Sequence, residues 1–129
     1  MIVVDSSVWI AHFRDQDSMA VRKLRSIDDP DQIVVGDVVL LEVLQGARDE
    51  RHASRLEGTL RAFKVEFMMD DELATKAARH YRTLRSQGIT IRTTIDLIIA
   101  TFCAQRGYGL LHDDRDFAPL VSHLGIRAV

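Results

Sequence analysis

Acidic side chains occur at four places where a strand is expected to end or a helix to begin. They are Asp5, Glu42, Asp96 and the pair Asp114 and Asp116. Most of them have an ordinary alternative role, because an aspartate often caps a helix and an acidic loop is often only solvated. Glu42 is the exception, since it lies within an apolar segment where an unpaired charge would be costly to bury.

A shared role for these acids would be the binding of a cation. Carboxylates gathered at one edge of a sheet repel one another unless a positive charge neutralises them. Oxygen ligands without support from cysteine or histidine select a hard ion, Mg²⁺ or Mn²⁺. The histidines show no paired spacing of a transition-metal site; they are His12, His52, His80, His112 and His123.

The segments between the acids predict an α/β fold. The β-branched run Ile2–Val4 before Asp5 is typical of a strand buried on both faces of a parallel sheet. Further strands are predicted at Ile33–Val35, Lys64–Met68, Tyr108–Leu111 and Ile126–Val129. Their alternation with helices predicts a three-layer α/β/α sandwich with a central parallel sheet. In such sheets ligands bind outside the carboxyl ends of the strands, which is where Asp5 is expected.

Amphipathic spacing defines the helices between the predicted strands. The helices are predicted at Val8–Phe13 with a Ser6 or Ser7 cap, Met19–Ile27, Val38–Gln45, Arg48–Phe63, from Asp70 or Asp71 to Gly88, from Asp96 to Gly107, and Pro119–Leu124. The helices on either side of Lys64–Met68 are expected to form an antiparallel hairpin.

Length and composition indicate one ordinary globular domain, residues 1–129. Hydrophobic residues make up 47% and charged residues 28% of the 129. The net charge of −2 argues against coating nucleic acid by bulk positive charge but allows a local basic face. No apolar run approaches the roughly 20 residues of a membrane span. The single cysteine, Cys103, excludes an internal disulfide and favours a cytoplasmic location.

Four segments of the chain, in order and spacing, resemble the motifs of PIN-domain nucleases. They are most similar to the VapC-type toxins of toxin–antitoxin pairs. The segments are Val3–Trp9, Glu42–Gly46, Thr94–Asp96 and Leu110–Phe117. The resemblance extends over essentially the whole chain and implies a PIN-like fold. It also implies an endoribonuclease that depends on Mg²⁺ or Mn²⁺ and hydrolyses phosphodiester bonds.

The resemblance assigns roles to the acids one by one. Asp5, Glu42, Asp96 and Asp114 would be the catalytic acids. The metal ligands would be Asp5, Asp96, Asp114 and an additional acid, Asp116. On this interpretation Asp5 is the central ligand, and Glu42 holds or deprotonates the attacking water. Ser6 and Thr94 would either donate hydrogen bonds to a ligand carboxylate or a phosphate oxygen, or only cap helices.

The same resemblance implies partners. The substrate would be single-stranded or structured RNA, cut to leave a 5′-phosphate. The chain would form a homodimer, bind a cognate VapB-type antitoxin, contact DNA only through that antitoxin and bind no membrane. Candidate RNA-binding residues are Arg48, Arg51, Arg55, Arg92 and Arg115, although solvated helix faces are the commoner role for such arginines. Trp9 and Phe13 are expected to be core or dimer contacts rather than platforms for stacked bases.

Two other functions fit parts of the pattern. A non-catalytic interaction module with a PIN-like fold would be expected to have lost acids, and this chain keeps all the matched ones. A receiver-type phospho-acceptor domain needs a lysine near its last strand. The chain has lysines only at Lys23, Lys64 and Lys76, which disfavours that function.

Overall fold

A four-stranded parallel sheet lies at the centre of the computed structural model, which describes residues 1–129. Its strands are β1 (Ile2–Val4), β2 (Ile33–Gly36), β3 (Lys64–Glu66) and β4 (Gly109–Leu111). They lie in the order β3-β2-β1-β4, and every neighbouring pair is parallel. The predicted α/β architecture is therefore confirmed.

Seven helices cover the two faces of the sheet. They are α1 (Ser6–Phe13), α2 (Met19–Arg25), α3 (Asp37–Gln45), α4 (Glu50–Arg61), α5 (Asp71–Ser86), α6 (Thr94–Arg106) and α7 (Ala118–Leu124). The first four pack against one another, and the last three form a second group. With the sheet between the two groups, the chain is a three-layer sandwich.

The most apolar segments form the centre of this sandwich. Val3 and Val4 of β1 have no exposed surface, because helices cover both faces of the sheet. In α6, all eight residues from Asp96 to Cys103 are buried, as expected for a helix that is apolar on nearly every side. Gly107 ends α6 in a left-handed conformation with φ of 69°, which glycine adopts without strain.

The segment after β3 is held against the start of α3. Met68 is buried over Gly36, where a Cβ atom would collide with the end of the Met68 side chain. The Met68 N–H donates a 3.0 Å hydrogen bond to Asp37 Oδ1. The strand predicted at Lys64–Met68 is thus shorter than expected, because this contact draws the chain out of the sheet after Glu66.

Two other expectations are wrong. Helices α4 and α5 do not form a hairpin: β3 separates them, and they pack instead on α3 and α6, respectively. The predicted strand Ile126–Val129 is reduced to one bridge, in which Ala128 pairs in parallel with Leu110. The first difference arises because α4 and α5 each pack on the helix that covers their own part of the sheet rather than on their neighbour in sequence.

No helix of the chain, including the two longest, α5 and α6, combines the length and the apolar character needed to cross a membrane.

Candidate metal centre

Asp5 follows β1 at the carboxyl edge of the sheet. Its backbone N–H donates a 2.9 Å hydrogen bond to the carbonyl of Leu111, which extends the pairing of β1 with β4 by one residue. Asp5 Oδ2 accepts hydrogen bonds from the Ser7 N–H at 3.1 Å and from the Ser7 hydroxyl at 2.6 Å. Asp5 itself, rather than Ser6 or Ser7, therefore caps α1, because its carboxylate reaches the free N–H groups of the first turn.

The other carboxylate oxygen of Asp5 has no partner. Asp5 Oδ1 is buried and accepts no hydrogen bond from any residue of the chain. Burial raises the pKa of Asp5, the hydrogen bonds from Ser7 and Ser6 act in the opposite direction, and the nearby charge of Asp114 raises it further. A buried carboxylate oxygen without a donor is costly, and a cation is one of the few groups that would satisfy it.

Three further acids converge at the same edge. Carboxylate oxygens of Asp96, Asp114 and Asp116 all lie within 4.8 Å of one another. Asp96 lies in the first turn of α6, where its N–H donates to Thr93 Oγ1 at 3.2 Å. Asp114 caps the short 3₁₀ turn after β4, and its Oδ1 accepts a 2.9 Å hydrogen bond from the Asp116 N–H. Each acid is thus held by its own local turn.

The pKa of Asp96 links this group to Asp5 and Glu42. Burial, as the largest cause, raises the pKa of Asp96 from its ordinary value of 3.8 to about 6, although the Thr93 hydrogen bond opposes the rise. The charges of Asp5, Asp114 and Glu42 each add to the increase. Acids from four separate segments therefore share one electrostatic environment.

Glu42 projects from the middle of α3 towards the start of α1. Its Oε1 accepts a 2.9 Å hydrogen bond from the Ser6 hydroxyl. Partial burial raises the pKa of Glu42, the Ser6 hydrogen bond lowers it, and the charge of Asp5 raises it. Burial and the charge of Asp5 thus favour the protonated form of Glu42, whereas the Ser6 hydrogen bond favours its carboxylate.

The donor set suits a hard divalent cation. It consists only of carboxylate oxygens, one of which, Asp5 Oδ1, is buried and unsatisfied. Mg²⁺ and Mn²⁺ take such ligands, whereas zinc and copper sites usually include nitrogen or sulfur.

Sequence comparison identifies the family. Residues 2–120 match the PIN domain. The chain belongs to the PIN-domain family. Ribonuclease VapC11 of Mycobacterium tuberculosis is 30% identical to this PIN domain over 120 residues, which are 91% of the chain and 89% of the relative. The predicted resemblance to VapC-type PIN nucleases is thereby confirmed.

Solved structures confirm the PIN fold. VapBC-1 from nontypeable Haemophilus influenzae superposes with a TM-score of 0.77 at 15% identity and covers 100% of this chain and 97% of that one. The DNA-bound VapBC from Salmonella typhimurium superposes with a TM-score of 0.74 at 19% identity, covering 99% and 96% of the two chains.

Two hydrogen-bonding residues of this PIN domain were not identified from sequence. Ser7, not only Ser6, binds an acid, and Thr93 rather than Thr94 caps α6. The Thr94 side chain is exposed and makes no hydrogen bond within the chain. Both contacts have spacings that a sequence can show. An aspartate often accepts a hydrogen bond from the backbone N–H two residues later, and a capping threonine often lies three residues before an acid.

The candidate RNA-binding arginines of the PIN domain all lie on its surface. None of them forms an ion pair, in contrast to Arg22, Arg25 and Arg61, which pair with carboxylates. The unpaired arginines are Arg48, Arg51, Arg55, Arg92 and Arg115. Their guanidinium groups are therefore free to contact an anion.

Proposed function

We propose that this PIN domain, residues 1–129, is an endoribonuclease that requires Mg²⁺ or Mn²⁺. The observation that carries the proposal is geometric: carboxylate oxygens of Asp96, Asp114 and Asp116 lie within 4.8 Å of one another, and Asp5 Oδ1 is buried without a hydrogen-bond partner. Negative charges this close to one another are costly to the fold, and a bound cation would offset that cost.

Each acid has a defined task in this proposal. Asp5, Asp96 and Asp114 would hold the ion, with Asp116 as an additional ligand. When bound, the ion supplies Lewis acidity to the scissile phosphate and offsets the negative charge that develops there. Glu42 is oriented by Ser6 and takes the proton from the attacking water.

The reaction is a hydrolysis of one phosphodiester bond. The water oxygen forms a new bond to phosphorus, and the bond from phosphorus to the 3′ oxygen breaks. The products are a 5′-phosphate and a 3′-hydroxyl, which takes up a proton. Exposed arginines on the same molecule would bind neighbouring phosphates, so that RNA binding weakens as salt is raised.

Cleavage of a 5′-labelled cellular RNA preparation tests this proposal. The native protein should cut RNA with Mg²⁺ or Mn²⁺ and not with EDTA. The variant Asp96→Asn should lose at least about a hundredfold in rate, because several kcal/mol of charge stabilisation disappears. Asp71→Asn is the matched control, since Asp71 is an exposed aspartate in the first turn of another helix. Undiminished cleavage by Asp96→Asn would contradict the assignment.

A role as a toxin is supported by the family. The similar ribonuclease is a VapC protein, and the similar structures are VapBC assemblies. We infer that this chain acts on RNA in the cytoplasm, that a cognate VapB-type antitoxin neutralises it, and that it meets DNA only through that antitoxin. Induction of the native protein alone should arrest growth, whereas Asp96→Asn or co-expression with the neighbouring antitoxin gene should not.

A homodimer is supported by exposed apolar side chains beside α3. Leu41 is 57% exposed, and it lies one helical turn from Asp37, whose carboxylate binds the backbone of Met68. The residues on either side of Met68 are also exposed, Phe67 by 85% and Met69 by 47%. We call Leu41, Phe67 and Met69 the α3 patch and propose that a second copy of the chain covers it.

A further inference from the structure

A cavity of about 280 Å³ opens between α1, the end of α3 and the start of α4. The apolar half of its lining is formed by Ile10, Phe13, Val43 and Leu56. None of the five acids of the metal centre lines it. It is therefore a separate recess that the proposed reaction leaves without a role.

The cavity lies beside the metal centre. Ser6 of α1 and Glu42 of α3 are hydrogen-bonded to each other, and the two helices pack together. Two residues that line the cavity lie four positions further along the chain, Ile10 on α1 and Gly46 directly after α3. Four residues of helix rise about 6 Å. A group in the cavity would thus lie about one nucleotide away from a phosphate beside Glu42.

One wall of the cavity is the partly exposed aromatic ring of Phe13. Phe13 stacks on Trp9 with the ring centroids 5.8 Å apart and the planes 19° from parallel. Trp9 is buried and belongs to the core as expected. Phe13 is only half-buried, and it lines the cavity. His12 also contacts the ring, with the centroids 5.5 Å apart. The part of Phe13 that lines the cavity would contact a planar group bound there, a role that differs from the core or dimer contact expected from sequence.

Cations surround this apolar recess. Arg14 and Arg48 line the cavity, both are exposed, and neither forms an ion pair within the chain. His52 also lines it and accepts a 3.1 Å hydrogen bond from the Arg48 N–H at Nδ1. In the neutral imidazole the remaining proton is then on Nε2, which can donate to an acceptor.

We propose that this cavity binds the base of one RNA nucleotide next to the cleaved bond. The base stacks on Phe13, Arg14 and Arg48 bind its flanking phosphates, and His52 Nε2 donates to an acceptor on the base. Stacking on an aromatic side chain with arginines along the backbone is the usual way in which single-stranded RNA is held. The proposal deepens the ribonuclease function above and rests on it for the identity of the ligand as RNA.

The size and charge of the cavity favour a nucleotide over a peptide partner. At about 280 Å³ it is smaller than most ligand pockets and suits a single planar group. Two unpaired guanidinium groups at one recess would attract the phosphates that flank a bound base.

Binding of a fluorescein-labelled uridine 12-mer and an adenosine 12-mer, followed by anisotropy, tests the proposal. The parent protein is Asp96→Asn, so that the RNA stays intact. Phe13→Leu keeps an apolar wall but removes the stacking face, and we expect its Kd to rise about fivefold or more for at least one RNA. Phe13→Tyr, which restores the face, should bind within about twofold of the parent.

The arginines are tested through salt dependence. Arg14→Ala and Arg48→Ala should each lower the slope of log Kd against log salt by about 0.7, the value for one contact with a single-strand phosphate. Arg79→Ala is the matched control, because Arg79 is an exposed arginine on α5, far along the chain from the cavity. Its slope should equal that of the parent.

The proposal is overturned if Phe13→Leu is shown by circular dichroism to be folded and still binds both RNAs with a Kd within about twofold of the parent's. If Phe13→Leu in the otherwise native chain also arrests growth despite co-expression of the antitoxin, the cavity binds a peptide instead. The binding test does not depend on cleavage. If Phe13→Leu weakens binding as expected but the native protein cuts no RNA, the ribonuclease proposal alone is contradicted.

Discussion

The Ser6 hydroxyl donates a 2.9 Å hydrogen bond to Glu42 Oε1 across 36 residues of sequence. This contact explains how one carboxylate is accommodated in the otherwise apolar helix α3. Ser6 is buried at the start of α1, next to Asp5, so the bond also directs Glu42 towards the other acids. Ser6 is therefore a positioning residue for Glu42 in the proposed reaction.

The first prediction is that Ser6→Ala changes the pH dependence of RNA cleavage. The Ser6 hydrogen bond lowers the pKa of Glu42, so its removal should raise that pKa. The acidic limb of the rate profile should then move to higher pH, so the rate should fall about severalfold at pH values on that limb. Ser54→Ala on α4 is the control, because Ser54 is exposed. An unchanged acidic limb in Ser6→Ala would contradict the role given to Glu42.

The second prediction is that Ser7→Ala weakens metal binding. Ser7 gives Asp5 Oδ2 two hydrogen bonds, and the variant would lose the shorter, at 2.6 Å. Loss of a group that orients a ligand costs about 10- to 100-fold in metal affinity. Calorimetric titration with Mn²⁺ should show this change, with Thr94→Ala as a control that binds like the native protein. Equal affinity in Ser7→Ala would mean that Asp5 is not a ligand.

The third prediction concerns stability in the absence of metal. Because the pKa of Asp96 is about 6 in the folded chain and 3.8 ordinarily, the folded state holds more protons than the unfolded state between these values. The Asp96 contribution to stability is then greatest below about pH 4 and is lost as the pH rises through 6. In EDTA, the Tm of the native protein minus that of Asp96→Asn should fall over this range.

Divalent cations should reverse that loss. Mg²⁺ or Mn²⁺ neutralises the acids, so the Tm at pH 7 should rise with metal concentration in the native protein. Asp96→Asn should show a smaller rise. A Tm that does not respond to either ion at millimolar concentration would argue against a metal centre.

The fourth prediction is that the α3 patch forms the dimer interface. Phe67→Asp and Leu41→Asp place charges on exposed positions, so the monomer should remain folded while self-association is lost. Light scattering after size-exclusion chromatography should give the mass of a dimer for the native protein and of a monomer for these variants. Met19→Asp is the matched control, since Met19 is 73% exposed on another helix. Dimers in both patch variants would place the interface elsewhere.

Much of the architecture was predictable because it depends on local patterns. A β-branched run such as Ile2–Val4 can be buried on two faces only in a covered parallel sheet, and the structure confirms this. Because α6 is apolar on nearly every side, its sequence likewise predicted that it would be the most buried helix. The order and spacing of the four acidic segments predicted the PIN family, which the match over residues 2–120 confirms.

The tertiary structure alone decided what the side chains of distant segments do to one another. It determined that Glu42 accepts a hydrogen bond from Ser6 and that Asp5 Oδ1 has no hydrogen-bond partner. It also determined that α4 packs on α3 and α5 on α6. It also opened the cavity behind Phe13. Hydrophobic periodicity and caps are properties of a few consecutive residues, so they can be read from sequence. Distances between residues far apart along the chain, and the pKa values that follow from them, depend on how whole layers pack.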